Sequence, residues 1–285
     1  MRNVEFIREI GEPMQHFTRY WNVTPLPGES RAAFRDRAGW IYFDAQREEI
    51  AEWWRRLNLQ VDLRGLNVLE VGCGHGALSV DALERGAARV YGVDLDEERI
   101  RFASEAVPTR YPEYRERLLF STTAVSDLPR DARYDLVLSK DTFEHVQDLP
   151  RMVDNLAQRL TPGGMLICGF SPLFHSPWGD HGRYGLRLPW LHTLLPTSIT
   201  HAWASRRLGY RVSTPSDLGL NGLTLDVFEA IFHPELWERV SLRVNPIDKA
   251  FVPLFDRLRR IRPLSRYFTI GIYAAFKRRP DTQAP

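Results

Sequence analysis

Cysteine is scarce: 285 residues carry two, Cys73 and Cys168, both in apolar or glycine-rich surroundings. So few thiols exclude a disulfide framework and suit a reducing compartment, with both read as buried structural groups. Surplus charge is lacking too, since 38 Lys and Arg stand against 36 Asp and Glu, leaving +2. That balance gives no support to a whole-surface attraction for nucleic acid or another polyanion. No apolar run approaches the roughly 20 residues that a membrane span needs, and the opening MRNVEFIREIGEP has no long apolar core of a secretory leader. Internal repeats are missing, and the one biased stretch is a short polar tail, RRPDTQAP. The expectation is a soluble, cytoplasmic protein with no nucleic-acid partner and no stable membrane insertion.

What is present is ordinary globular material, 44% hydrophobic and 26% charged, enough to bury a sizeable core. Residues 1–60 read as an N-terminal helical cap, because DAQREEIAEWWRRLNL puts Ile50, Trp53, Trp54 and Leu57 on one side of a helix. Over 61–171 short apolar runs (LNVLEVG, RVYGVDL, LLFSTTAV, YDLVLS, MLICGFS) alternate with helical ones. Such alternation means βαβ units, hence an α/β core with a doubly wound, mostly parallel sheet. Residues 172–235, rich in Trp, His, Pro and Gly, break the alternation and read as a lid over a substrate. Two last strand-like runs in 236–279 complete a seven-stranded sheet, and 280–285 form a tail. The basic FDRLRRIRPLSRYF reads as a solvated helix face.

VLEVGCGHGAL sets Gly72, Gly74 and Gly76 between a strand and a helix, where glycine lets backbone approach a ligand and presents N–H groups at a helix start. Taken alone the pattern also fits a dinucleotide-binding loop. Asp94 ends the next strand 22 residues after Gly72, where a carboxylate accepts hydrogen bonds from ribose hydroxyls.

The loop, the acid of GVDLD, the DLP before YDLVLS, then FEHV and LTPGGML recur in the order found in class I S-adenosylmethionine-dependent methyltransferases, which the segment from Leu66 to Ser171 resembles. The later blocks weigh against an NAD-linked oxidoreductase, which needs only the first two. The resemblance implies a Rossmann-like methyltransferase fold and S-adenosylmethionine as cofactor. Glu70, Gly72, Cys73, Gly74 and Gly76 would hold its methionine part, Asp94 the ribose and Leu95 the adenine face. Val125, Ser126 and Lys140 join the expected cofactor residues. Relatives often carry an acid where this chain has Ala124, so adenine contacts here would be mainly backbone and hydroxyl.

SKDTFEHVQD follows the fourth strand, and Asp141, Glu144 and His145 at i, i+3 and i+4 would share one face of a helix. This spacing resembles that of ubiquinone-pathway O-methyltransferases, which implies a metal ion held by Asp141, Glu144 and His145 beside the methyl acceptor. His181 in SPWGDHGRYG would complete a 2-His-1-carboxylate site for Fe, Zn, Mn or Mg, with His175 and His192 as runners-up. A metal would lower the pKa of a small-molecule acceptor's hydroxyl. Without metal, His145, His181 or Asp141 would handle the proton. A further reading of these residues is structural, and a separate reading makes the whole chain a partner subunit without catalysis. Tyr20, Trp21, Trp40, Tyr42, Trp178, Tyr184 and Trp190 are candidate walls of the acceptor pocket.

Overall fold

The computed structural model describes residues 23–186 and 188–280, so the candidate pocket residues Tyr20 and Trp21 and the tail 281–285 lie outside the described residues. Helix α1 (Arg31–Leu57) starts where the Ser30 hydroxyl accepts a hydrogen bond from Ala33 N, and ends at Asn58, which takes a left-handed φ of 48°. Its buried side chains, Phe43, Ile50, Trp53, Trp54 and Leu57, fall at helical spacing on the face turned to the sheet. Strand β1 (Asn67–Val71), α2 (Ala77–Glu84), β2 (Arg89–Val93), α3 (Glu97–Glu105), β3 (Leu118–Ser121) and β4 (Tyr134–Lys140) follow, with a further α-helical turn, Val107–Arg110, between α3 and β3. Then come α4 (Leu149–Arg159), β5 (Leu160–Phe170), α5 (Thr197–Leu208), α6 (Leu225–Ile231), β6 (Trp237–Val244) and β7 (Ile272–Arg278).

The seven strands form one sheet in the order β3-β2-β1-β4-β5-β7-β6, all parallel except β7, which runs antiparallel to both neighbours. Apolar clusters cover both faces, which is why the central strands read as nearly continuous apolar runs. On one face Phe43 and Trp53 of α1 pack with Leu78 and Leu136, and on the other Val153 of α4 and Phe228 of α6 pack with Leu69 and Phe276. A third cluster of Tyr184, Ala204, Val212, Leu218 and Leu220 gives the segment after β5 its own small core. Strand order reverses between β1 and β4, so a crevice opens beyond their C-terminal ends, the place where open α/β sheets bind ligands. No helix among the described residues is long and apolar enough to cross a membrane.

Candidate functional site

The loop after β1 is shaped for a close-lying ligand. Gly72, Gly74 and Gly76 all hold positive φ, at 74°, 52° and 87°. At Gly72 a side chain is excluded twice over, because a Cβ there would also stand 2.1 Å from Thr142 Oγ1. Asp94, at the end of β2, accepts from Gly74 N at 2.9 Å through one oxygen and from Asp96 N at 2.9 Å through the other. Leu95 beside it is 75% exposed, an apolar surface at the cavity mouth. Beneath the loop Glu70 is buried and accepts a hydrogen bond from the Ser79 hydroxyl. Burial pushes its carboxyl up to about 8 against the pull of that bond, and the Asp94 charge adds to the rise. Burial likewise pushes the Cys73 thiol well above its ordinary range, so this cysteine is an inert wall.

From this loop a cavity of about 1100 Å³ runs to His145, His181 and Arg183, and Val125 and Ser126 also border it. Helix α1 forms a second wall with Tyr42, Gln46 and Glu49. Lys140, at the end of β4, has a side chain only 8% exposed and donates to Gln46 Oε1 at 2.7 Å, Glu49 Oε2 at 3.2 Å and Asp141 Oδ2 at 2.7 Å. Burial alone would lower the pKa of this ammonium, but Asp141 and Glu49 more than offset it and hold the pKa above the usual lysine range.

The expected helix through Asp141, Glu144 and His145 does not form. Asp141 adopts a left-handed φ of 49°, Phe143–His145 make a single 3-10 turn, and α4 starts only after Asp148 caps it by accepting from Arg151 N. The turn is held from the segment after β5: Asn221 Nδ2 donates to Phe143 O at 2.6 Å and Val146 O at 2.8 Å, and Asn221 N donates to Glu144 O at 3.0 Å. Glu144 and His145 still meet, with His145 Nε2 at 3.9 Å from Glu144 Oε1. Glu144 is 3% exposed, and both its carboxylate oxygens are buried without a hydrogen bond. Burial, and then the Asp141 charge, raise its pKa well above the usual carboxylate range, so it is a neutral acid.

The two histidines face one another with ring centroids 5.1 Å apart, edge to face. His145 Nδ1 lies 2.7 Å from Gly219 O, and His181 Nε2 lies 2.8 Å from Pro172 O. A carbonyl only accepts, so each of those nitrogens carries the proton in the neutral ring and the opposite nitrogen, His145 Nε2 or His181 Nδ1, keeps its lone pair. Burial lowers both pKa values, that of His145 below the usual histidine range and that of His181 to about 3, and both rings are neutral at pH 7. His175 and His192 do not border the cavity: burial lowers the pKa of His175 to about 4, and His192 Nε2 pairs with Phe174 O. Among the candidate aromatics Tyr42 lines the cavity, Trp40 packs edge-on to Phe43 and Phe102, Tyr184 belongs to the small core after β5 and Trp190 packs on Phe255.

The expected metal set is not assembled. Among the described residues no three His, Cys, Asp or Glu side chains are gathered so that they could hold a metal ion. Asp141 is engaged by Lys140, Glu144 is a neutral acid, and the turn that replaces the helix removes the shared face. Sequence reasoning missed Gln46, Glu49, Arg183, Gly219 and Asn221. Of these only Arg183 had a sequence signal, lying two residues beyond His181 inside SPWGDHGRYG.

The family model described as "Methyltransferase domain" matches residues 69–168. The ubiquinone biosynthesis O-methyltransferase of Coxiella burnetii (strain Dugway 5J108-111) is 36% identical over 109 residues, covering 38% of this chain and 44% of that protein. The protein of the same name from Leptothrix cholodnii is 41% identical over 109 residues, 37% of this chain and 44% of that protein. The match thus spans less than half the length of these relatives. A solved S-adenosylmethionine dependent methyltransferase from Mesorhizobium loti shares the fold at 19% identity with a TM-score of 0.50, covering 81% of this chain and all of that one. By its glycine loop, its strand order and its sequence between residues 69 and 168, the chain carries a methyltransferase domain on a seven-stranded Rossmann-like sheet.

Proposed function

We propose that the protein transfers the methyl group of S-adenosylmethionine to an oxygen of a small-molecule acceptor, with His145 as proton acceptor and no metal in the step. The observation that carries this reading is the single cavity that joins the Asp94 and Gly74 end to the neutral His145 and His181 rings. The named activity of the Coxiella burnetii and Leptothrix cholodnii relatives supports oxygen as the atom methylated.

The sulfonium methyl is already activated, so the protein's share is alignment and proton management. The acceptor oxygen attacks the methyl carbon, the S–CH3 bond breaks with its electron pair left on sulfur, and the hydroxyl proton passes to His145 Nε2. Nitrogen attack on the same methyl would need the same proton acceptor and is the second reading. His181 stands 5.1 Å from His145, centroid to centroid, and closes the acceptor side.

Calorimetry tests the cofactor and labelled-methyl transfer to a panel of phenols and catechols tests the chemistry. S-adenosylmethionine binds the wild type, and Asp94→Ala weakens it at least tenfold. His145→Ala lowers kcat by about 10²–10⁴ while cofactor affinity stays within twofold. Turnover survives chelation. Absence of cofactor binding by the wild type would sink the function, and loss of turnover on chelation would return a metal to the mechanism.

A further inference from the structure

We propose that Arg183 is the anion-binding residue of the acceptor site, so that the methyl acceptor carries a carboxylate or phosphate group. The proposal rests on the methyltransferase reading above and names the substrate class for that same site.

Among the cations that line the cavity, Arg183 and the exposed Arg151 have no acid as partner among the described residues, and of these two Arg183 is the one drawn out of water. Lys140 is answered by Asp141 and Glu49, and Arg99 by Asp96 at 3.1 Å. Arg183 also lines the cavity, yet among the described residues its guanidinium has neither a hydrogen bond nor an ion pair, and its Nε is buried without a partner. The groups that act on it electrostatically are the Tyr210 phenol and the like charge of Arg99. The histidines His145 and His181, which share the cavity and feel the Arg183 charge, are neutral, and burial raises the pKa of Glu144 beside His145 well above the usual carboxylate range. A partly buried guanidinium without a counter-ion costs free energy that a ligand oxyanion recovers, and its planar fork suits two oxygens at once.

The residue is also held in place before any ligand arrives. Arg183 N donates to Asp180 O at 2.8 Å, and Arg207 Nη1 donates to both Gly182 O and Arg183 O at 3.0 Å. Its own Nη1 stands where a Cβ on Gly219 would be 3.7 Å away, and Gly219 O is the acceptor for His145 Nδ1. Arg183 and His145 thus flank one backbone segment, so an anion on the guanidinium sets the rest of the ligand beside His145 Nε2. The glycine loop and Asp94 line the same cavity, so S-adenosylhomocysteine affinity in Arg183 variants is what separates this anion site from one for the cofactor's own carboxylate.

The test titrates benzoate, phenyl phosphate and benzamide into the protein by calorimetry, with and without saturating S-adenosylhomocysteine. The expected result is that benzoate or phenyl phosphate binds at least tenfold more tightly than benzamide. Arg183→Met removes that difference, Arg183→Lys keeps part of it, and both variants bind S-adenosylhomocysteine within twofold of wild type. The relative strength of benzoate and phenyl phosphate decides between carboxylate and phosphate. Equal binding of benzamide and benzoate, or no anion binding by wild type, overturns the proposal. A loss of S-adenosylhomocysteine affinity in Arg183→Met also overturns it, because the arginine would then serve the cofactor carboxylate. Failure of wild type to bind S-adenosylhomocysteine strikes the methyltransferase reading instead, and the arms run without it still decide the anion site.

Discussion

At the scale of single residues, Glu70 gives the proposed cofactor site a pH dependence whose sign can be worked out. Burial raises its pKa from 4.5 to about 8 in the folded protein. Between those values the folded state binds a proton that the unfolded chain has released. Its contribution to stability is therefore complete below about 4.5 and is lost as pH rises through about 8. A sulfonium and ammonium cation bound at the adjacent loop favours the ionised carboxylate, which reverses the preference. S-adenosylmethionine binding should then expel a proton near pH 7, and affinity should climb by up to about tenfold per pH unit until it levels near pH 8. Calorimetry in two buffers of different ionisation enthalpy checks the proton release, and Glu70→Gln should flatten the pH profile. An affinity that is the same at pH 6 and pH 8 in the wild type would refute the coupling. The buried histidines work the other way: for His181 the stability contribution fades as pH falls from 6.5 towards about 3.

At the scale of elements, the sheet was legible in the sequence and the turn beside it was not. Apolar runs such as VLEV and YDLVL become β1 and β4 because strands buried on both faces need little else. The run SKDTFEHVQD has helical spacing, but two facts outside it decide its shape. Thr142 must pack against the bare Cα of Gly72, and Asn221, 76 residues beyond His145, clamps the carbonyls of Phe143 and Val146. No local periodicity carries information about partners so distant. The same geometry makes Gly72→Ala doubly costly. A non-glycine residue at φ 74° costs about 1–3 kcal/mol, and its Cβ would overlap Thr142. Cofactor affinity should fall more than tenfold, and adding Thr142→Gly should restore part of it by removing the clash while leaving the strain. Full recovery in the double variant would mean that the φ requirement is irrelevant; none at all would mean that Thr142 is.

At the scale of the whole molecule, one ammonium ties the cap, the sheet and the candidate site together. Lys140 sits at the end of β4, reaches Gln46 and Glu49 on α1, and pins Asp141 at the start of the turn. Trp53 Nε1, donating to Gly169 O at 3.1 Å, is a second tie between α1 and the sheet. Lys140→Met removes three charge-assisted contacts and leaves Glu49 and Asp141 facing one another without the cation. A fully buried pair broken in this way loses about 3–5 kcal/mol. Here the Glu49 and Asp141 side chains retain 23% and 37% exposure, so water takes up part of the charge and a loss of about 2–3 kcal/mol is expected. The midpoint of urea unfolding at pH 7.5 reads the loss directly. Because the penalty is stranded charge and not lost packing, Lys140→Met combined with Glu49→Gln should be more stable than Lys140→Met alone. If the double variant is instead the less stable of the two, the lysine holds α1 by its alkyl chain, and the link from cap to site is one of packing, without an electrostatic share.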